Sequence, residues 1–226
     1  MNNKVFILIP AYNEESTIGQ VLDSLKVRFK NIIVVNDGST DETQSIIEKK
    51  DVIIIRHTLN LGQGAAISSG MNYLKNKNTA EALITFDADG QHSVEDAVSF
   101  AKEIIKSDEE IIFGSRFIKN KANIPYLKRI ILKAVTLITN LLTNTRLSDT
   151  HNGLKAIKVS CLNKISITID GFAFESQIIQ QVGKKKIRYK EMPTNTIYTD
   201  YSKRKGQKLL NGLIILEDLI KSIKLK

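Results

Sequence analysis

Residues 83–92 read LITFDADGQH, an apolar run followed by two aspartates two positions apart. In an extended strand this spacing places the side chains of Asp87 and Asp89 on the same face. Gly90 permits a turn, and Gln91 adds an amide oxygen. Hard oxygen donors of this kind suit Mg²⁺ or Mn²⁺, which complete their coordination shells with water and substrate phosphates. The stretch therefore predicts a metal and diphosphate site, although a plain strand-ending turn has a similar composition.

The surrounding sequence alternates short apolar runs with helical patterns. Strands are predicted at 5–9, 32–36, 52–56, 82–86 and 110–114, and helices near 16–27, 41–49, 64–75 and 94–106. Ser16, Thr40 and Ser93 are the expected helix N-caps. Apolar strands that alternate with helices indicate βαβ units and a mostly parallel sheet covered on both faces. In such a sheet, ligands bind beyond the carboxyl ends of the strands.

Polar segments also follow the first three predicted strands. They are PAYNEE at 10–15, NDGSTD at 36–41 and NLGQGAA at 60–66. Asp37 can accept hydrogen bonds from a nucleobase or a ribose, and the glycines of the third segment allow a backbone to approach a ligand. Each segment alone is explained by a turn and a helix start. Polar ends on four consecutive βα units nevertheless favour one shared site.

Composition indicates a folded protein that is soluble or peripheral to a membrane. The 226 residues are 42% hydrophobic and 25% charged, and the single cysteine, Cys161, excludes an internal disulfide framework. We expect no signal peptide and no membrane span, since no apolar run is long enough. Residues 1–113 carry 11 Lys and Arg against 17 Asp and Glu, whereas residues 114–226 carry 22 against 7. An acidic half would suit binding of a metal ion, and a basic half would suit binding of an anion or an anionic surface. The alternative interpretation is that both halves carry ordinary solvated surface charge.

The second half of the chain has a less regular pattern. We expect strands at 154–159, 186–191 and 196–199, a helix at 173–182, and amphipathic helices at 126–144 and 207–226. The apolar stripe of either amphipathic helix would fit a membrane surface. Packing on the protein's own core is the commoner reason for such a stripe. No linker or repeat interrupts the sequence, so we expect one domain over residues 1–226.

Taken in order, the segments PAYNEE, VVNDGSTD, NLGQGAA, FDADGQH and FGSRF resemble family 2 glycosyltransferases. The chain is most similar to the branch that transfers sugars to polyprenyl phosphates and includes dolichol-phosphate mannosyltransferase. The resemblance implies an α/β fold of the glycosyltransferase-A (Rossmann-like) type, with a mostly parallel central sheet flanked by helices. It also implies a nucleotide-sugar and metal-binding half at 1–117 and a basic half at 118–226 that faces the acceptor and the membrane.

The resemblance implies roles for individual residues. Contacts to the nucleotide sugar would come from Pro10, Ala11, Tyr12, Glu14, Asp37, Asp87, Ala88, Arg116, Lys203, Arg204 and Lys208. Within this set, Asp37 would meet the nucleobase, and the last three would form a basic loop over the diphosphate. The metal ion, Mg²⁺ or Mn²⁺, would be held by Asp87, Asp89 and Gln91. The acceptor and sugar side would include Asp149, Asn152, Phe172 and Glu175.

The expected reaction is the inverting transfer of a hexose from GDP-mannose or UDP-glucose to a dolichyl or undecaprenyl phosphate. It would take place at the cytoplasmic face of an anionic membrane that the protein contacts peripherally. Asp87, Asp89, Arg116 and Arg204 would be catalytic, because a divalent ion and basic side chains stabilise a departing diphosphate. A phosphate acceptor has a second pKa of about 6 and needs no general base at neutral pH.

Two alternatives stay open at this point. A transferase of the same fold that acts on a glycan or another hydroxyl would need a general base. A nucleic-acid-binding module would use the basic half, but the chain shows no recognition motif, so we expect no nucleic-acid partner. The absence of tryptophan excludes the Gln-x-x-Arg-Trp motif of processive polysaccharide synthases.

Overall fold

The computed structural model describes residues 4–118, 126–169 and 174–195. Its strands are β1 (Val5–Ala11), β2 (Asn31–Asp37), β3 (Ile53–His57), β4 (Ala82–Thr85), β5 (Ile111–Ser115), β6 (Lys155–Lys158) and β7 (Tyr189–Pro193). Its helices are α1 (Ile18–Lys26), α2 (Thr43–Glu48), α3 (Gln63–Lys75), α4 (Val94–Lys106), α5 (Tyr126–Thr143), α6 (Val159–Leu162) and α7 (Phe174–Lys184). The elements predicted for the first half are confirmed to within a few residues. The strand predicted at 196–199 and the helix predicted at 207–226 lie outside the described residues.

The strands of the described residues form one sheet with the order β3-β2-β1-β4-β6-β5-β7. Strand β1 pairs in parallel with β2 and β4, β2 with β3, and β5 with β7. Strand β6 runs antiparallel between β4 and β5. Because of this reversal, the residues just before β6 lie beside the carboxyl ends of β4 and β5. The mostly parallel sheet with flanking helices confirms the predicted α/β class.

Both faces of the sheet are covered, because successive strand residues point to opposite sides. In β1, Ile7 and Ile9 belong to an apolar cluster with α1, α2 and α4, whereas Phe6 and Leu8 belong to a cluster with α3, α6 and α7. Helix α3 comes close to the sheet at Gly70, where a methyl group would lie 2.2 Å from Cδ1 of Leu8. Burial of such aliphatic side chains contributes roughly 1.5–3 kcal/mol each and holds the strand ends in fixed positions.

Two of the three predicted helix caps are wrong. Ser93 caps α4 as predicted, since its side chain accepts a hydrogen bond from a first-turn amide. Ser16 and Thr40 do not cap helices, and the N-cap positions of α1 and α2 are occupied by Thr17 and Glu42 without side-chain cap bonds. The amide of Thr40 instead donates to a side chain in the loop after β1. Helix α2 begins at Thr43, two residues after the predicted start.

Helix α5 presents apolar residues to solvent. Leu137 and Leu141 are 62% and 75% exposed. The buried side of α5 instead includes Thr136, Thr139 and Thr143. Val135 of the predicted apolar stripe is buried, whereas Leu141 of the same stripe faces solvent, so the stripe packs on the protein only in part. The hydroxyls of Thr136 and Thr143 pair with those of Thr150 and Thr145 in the segment that follows α5. Across the described residues, no helix is long and apolar enough to cross a bilayer.

Candidate active site

The loops after β1 and β2 are joined to each other at the carboxyl edge of the sheet. The amide of Asn13 donates to Oγ of Ser39 at 3.0 Å, and the amide of Glu14 donates to Oγ1 of Thr43 at 2.8 Å. Asn13 takes a positive φ of 53° to make this turn. The charge of Glu14 also contributes to a raised pKa at Asp89, which shows that the loop lies near the acidic motif. These segments therefore form one continuous surface rather than separate turns.

Asp87 is held from three sides. Its Oδ2 lies 2.8 Å from Nε2 of His92, and Nε2 of Gln63 donates to its Oδ1 at 3.5 Å. The third side is Gly153, where a methyl group would lie 2.2 Å from Oδ2. Burial alone would raise the pKa of Asp87, but the adjacent imidazole of His92 and the positive charges of Lys155 and Arg116 lower it. Asp87 is thus a fixed carboxylate that is ionised at neutral pH.

Asp89 has a different environment. Its carboxylate accepts hydrogen bonds from the amide and the side chain of Gln91, at 3.0 and 2.7 Å, and both donors are neutral. Burial and the nearby negative charge of Asp87 raise the pKa of Asp89 to about 6. An additional positive charge near Asp89 would therefore stabilise the ionised form of its carboxyl group.

These residues fit the divalent ion that the family resemblance implies. Two carboxylates and an amide oxygen are hard ligands. The raised pKa of Asp89 reflects its burial and the repulsion between its charge and that of Asp87, which a bound cation would neutralise. Within residues 4–118, 126–169 and 174–195, no three acidic, histidine or cysteine side chains gather into a complete metal cage. Water and phosphate oxygens would therefore have to complete the coordination shell, as is usual for Mg²⁺.

The carboxylate of Asp37 makes hydrogen bonds within the protein. Its Oδ1 lies 2.7 Å from Nδ1 of His57 and accepts a hydrogen bond from the amide of Leu61, while its Oδ2 accepts one from the amide of Gly62. The other ring nitrogen of His57 lies 2.9 Å from Oγ of Ser69 on α3. Asp37 is only 3% exposed. The contacts described for this carboxylate fix the loop after β3, a role that the sequence did not suggest.

The predicted pocket residues differ in what they offer to a ligand. Tyr12 is 40% exposed, so its ring is available at the surface. Ala11 and Ala88 are buried, which leaves their backbone atoms as the groups that a ligand could reach. Pro10 lies at the end of β1 and is partly exposed. The structure brings these residues to the same edge of the sheet as the acidic motif.

Arg116 and Asp149 form a buried ion pair. Nε and one terminal nitrogen of Arg116 donate to the two carboxylate oxygens of Asp149 at 2.6 and 2.7 Å, and the backbone amide of Arg116 adds a third bond. The Arg116 charge and these bonds outweigh the effect of burial, so the pKa of Asp149 lies below its usual value. The guanidinium expected near the donor phosphates is therefore also the anchor of segment 149–153.

Sequence reasoning missed a lysine in the floor of the site. Lys155 is 2% exposed, and its Nζ lies 2.5 Å from Oε2 of Glu175 and donates to the carbonyl of Asn152 at 2.6 Å. The side chain of Asn152 in turn donates to Oγ1 of Thr194. The predicted acceptor-side residues Asn152 and Glu175 are thus linked through Lys155. A lysine within the predicted strand 154–159 gave no sign of this burial, because lysine usually stays at the surface.

Four predicted site residues lie outside the described residues. They are Phe172, Lys203, Arg204 and Lys208. Their predicted roles stay as predictions.

The sequence model of glycosyl transferase family 2 matches residues 6–166, which include the acidic motif and segment 149–153. The chain is a family 2 glycosyltransferase. This glycosyltransferase is 37% identical over 223 residues to an uncharacterised protein of Methanocaldococcus jannaschii, covering 96% of this chain and 91% of the relative. It is 33% identical over 239 residues to the UDP-N-acetylglucosamine–dolichyl-phosphate N-acetylglucosaminyltransferase of Methanococcus voltae, covering 96% and 94%. The second relative confirms the resemblance to the polyprenyl-phosphate branch.

The fold of this glycosyltransferase also matches solved structures. Glucosyl-3-phosphoglycerate synthase from Mycobacterium tuberculosis, crystallised with Mn²⁺, UDP and phosphoglyceric acid, aligns with a TM-score of 0.67. The alignment covers 94% of this chain and 78% of that protein at 14% sequence identity. The likeness confirms the glycosyltransferase-A fold.

Proposed function

We propose that this enzyme transfers a sugar from a nucleoside-diphosphate sugar to a polyprenyl phosphate, with Mg²⁺ or Mn²⁺ held by Asp87, Asp89 and Gln91. The observation that carries the proposal is the acidic pair after β4. The positive charges of Lys155 and Arg116 act on Asp87, whereas the hydrogen bonds that Asp89 accepts from the described residues come from the neutral donors of Gln91. Similarity over almost the whole chain to a dolichyl-phosphate N-acetylglucosaminyltransferase supports the acceptor class. UDP-N-acetylglucosamine, UDP-glucose and GDP-mannose are the donors to test.

The chain's own residues would prepare both reactants. His92, Gln63 and Gly153 fix the orientation of Asp87, and Arg116 fixes segment 149–153 beside it. When bound, the cation neutralises negative charge on the leaving diphosphate. Preorganised charges of this kind act without reorganising during the reaction, which is why rigid anchoring favours catalysis.

The transfer itself would be a single displacement. An oxygen of the acceptor phosphate forms a bond to the anomeric carbon as the bond from that carbon to the diphosphate breaks, and attack from the opposite side inverts the configuration. A phosphate monoester has a second pKa of about 6 and is largely dianionic at neutral pH, so no proton has to be removed from it. Arg116, which is paired with Asp149, would add positive charge near the phosphates.

Helix α5 supports a peripheral membrane contact for the acceptor half. Ile130, Leu137, Leu141 and Leu142 are exposed large apolar residues on this helix, and the half of the chain that contains them is strongly basic. An amphipathic helix lies in the membrane interface with its apolar side down and its cations near anionic lipid headgroups. We place this contact at the cytoplasmic membrane face, where a lipid-linked phosphate would meet the active site.

Calorimetric titration of the three candidate donors, with Mn²⁺ or with EDTA, tests the donor and metal parts of the proposal. We expect one donor to bind only with Mn²⁺ and Asp89→Asn to lose this metal-dependent binding. Asp23→Asn is the matched control, because Asp23 is an exposed aspartate on helix α1 that forms an ion pair with Lys50. Equal donor binding with Mn²⁺ and with EDTA would contradict the metal assignment.

A further inference from the structure

Among the described residues, one ring nitrogen of the His151 imidazole has no hydrogen-bond partner. Its Nδ1 lies 2.9 Å from Oγ1 of Thr150, whereas Nε2 is buried and has no hydrogen-bond partner among the described residues. Buried polar atoms are nearly always paired, because an unpaired one loses its hydrogen bonds to water without replacement. An unpaired buried nitrogen at the edge of an active site therefore indicates that a bound ligand supplies the missing hydrogen-bond partner.

The backbone around His151 places it between the metal side and helix α5. Its carbonyl accepts a hydrogen bond from Arg116 at 2.9 Å, and its amide donates to Asp149 at 3.2 Å. Two residues further on, Gly153 lies against the carboxylate of Asp87. On the other side, Oγ1 of Thr150 lies 3.2 Å from Oγ1 of Thr136 on α5. Segment 149–153 therefore contacts Asp87 through Gly153 and helix α5 through Thr150, and His151 lies between these two contacts along the chain.

The protonation state of the ring follows from its surroundings. Burial, with the positive charges of Arg116 and Lys155, lowers the pKa of His151 to about 4, against the opposing effect of Asp149. The ring is therefore neutral at physiological pH and carries one proton. The hydroxyl of Thr150 can donate to Nδ1, and with that arrangement we assign the ring proton to Nε2. The unpaired atom is then a hydrogen-bond donor that carries no net charge.

We propose that Nε2 of His151 donates a hydrogen bond to a phosphate oxygen of the polyprenyl phosphate acceptor. Phosphate oxygens are acceptors only, so they match an N–H group that lacks a partner. The location next to α5 favours the acceptor over the donor diphosphate, since the donor phosphates belong with the metal at Asp87 and Asp89. No proton is transferred in this contact. The inference rests on the proposed function and adds a residue that recognises the acceptor.

Two substitutions separate the two ring nitrogens. His151→Asn keeps an amide near the position of Nδ1, where it can still bind Thr150, and has no group at the position of Nε2. His151→Gln can place its amide N–H near the position of Nε2. We expect the asparagine variant to raise the KM for dolichyl phosphate about tenfold, as for loss of one hydrogen bond to a charged group, with an unchanged donor KM. The glutamine variant stays within about twofold of the wild type in both constants.

Calorimetric titration of the full chain with farnesyl phosphate, without a donor, gives a readout independent of turnover. We expect weaker binding by the asparagine variant and near wild-type binding by the glutamine variant. Unchanged acceptor constants in His151→Asn, or a rise only in the donor KM, would overturn the inference. If the asparagine variant fails to fold, a tenfold rise in acceptor KM for His151→Gln would also overturn it. A wild-type enzyme that transfers sugar only to another acceptor would instead refute the proposed function.

Discussion

Gly153 lies directly against the carboxylate of Asp87. A methyl group on Gly153 would be 2.2 Å from Oδ2 and 2.8 Å from Oδ1, well inside van der Waals contact. The glycine belongs to the segment that leads into the antiparallel strand β6, far from Asp87 in the sequence. Because β6 runs antiparallel to β4, segment 149–153, which precedes β6, lies against the carboxylate of Asp87.

Gly153→Ala should displace the Asp87 side chain. Misplacement of a reacting group by about 1 Å can cost about 100-fold in rate, so we expect metal-dependent turnover to fall by about 10- to 100-fold. Gly19→Ala is the matched control, because the nearest described atom to its methyl group would be Cγ2 of Ile46, at an ordinary 3.4 Å. Steady-state rates at saturating Mn²⁺ test the difference, and equal rates for the two variants would contradict the placement of Asp87.

Asp89→Asn should stabilise the metal-free protein at neutral pH while it removes function. The folded-state pKa of Asp89 is about 6, above its ordinary 3.8, so the folded protein holds this proton to higher pH than the unfolded chain. This aspartate therefore lowers stability as pH rises from about 4 to 6, and the cost is complete above about 6. We expect the variant to gain about 1–3 kcal/mol of unfolding free energy at pH 7.5 and almost nothing at pH 4.

Urea denaturation in EDTA at several pH values measures this gain. Asp23→Asn serves as the control, because the side chain of Asp23 is 64% exposed. A gain of the same size at pH 4 and pH 7.5, or none at either, would show that the charge of Asp89 is not the cause.

Asp37→Ala should destabilise the protein. The carboxylate joins His57 and two backbone amides of the loop after β3, so its removal leaves three groups without their partner. We expect a loss of about 2–4 kcal/mol, against less than about 1 kcal/mol for Asp23→Ala at an exposed ion pair. Thermal or urea unfolding measures both. Unchanged stability together with lost nucleotide binding would support the predicted nucleobase contact in place of the structural role.

The exposed side of α5 should carry the membrane affinity. Replacement of both Leu137 and Leu141 by glutamine removes apolar surface that would enter the lipid interface, so we expect binding to anionic vesicles to weaken by roughly tenfold or more. Val27→Gln is the control, since Val27 is 78% exposed but lies at the end of α1. Vesicle cosedimentation tests both variants. Vesicle binding that Val27→Gln weakens as much as the leucine substitutions would argue against α5.

The first half of the fold follows from local sequence patterns. Apolar runs such as Val5–Ala11 can be satisfied only as buried strands, and each is followed by polar residues that have to lie at the sheet edge. The position of the acidic motif was predictable for the same reason, because its aspartates follow such a run. The expectation that they share one strand face is wrong, because β4 ends at Thr85 and Asp89 lies in the turn that follows. Family resemblance added the ligand roles.

The features that the sequence did not predict depend on contacts between residues far apart in the chain. Lys155 is buried because Glu175 and the carbonyl of Asn152 satisfy its ammonium group, and neither contact is visible in local spacing. Thr136 and Thr143 of α5 are buried with their hydroxyls paired to those of Thr150 and Thr145, which a hydrophobic stripe alone cannot reveal. Asp37 looked free to bind a ligand until the fold brought His57 beside it.

The most direct test of the account is transfer of labelled sugar into the lipid phase. Purified enzyme is incubated with dolichyl phosphate, Mn²⁺ and labelled UDP-N-acetylglucosamine, UDP-glucose or GDP-mannose, and the organic extract is counted. We predict that one donor labels the lipid, that EDTA abolishes the labelling, and that Asp89→Asn, although folded, yields none. Product that forms equally well in EDTA, or that appears only on a hydroxyl acceptor, would contradict the account.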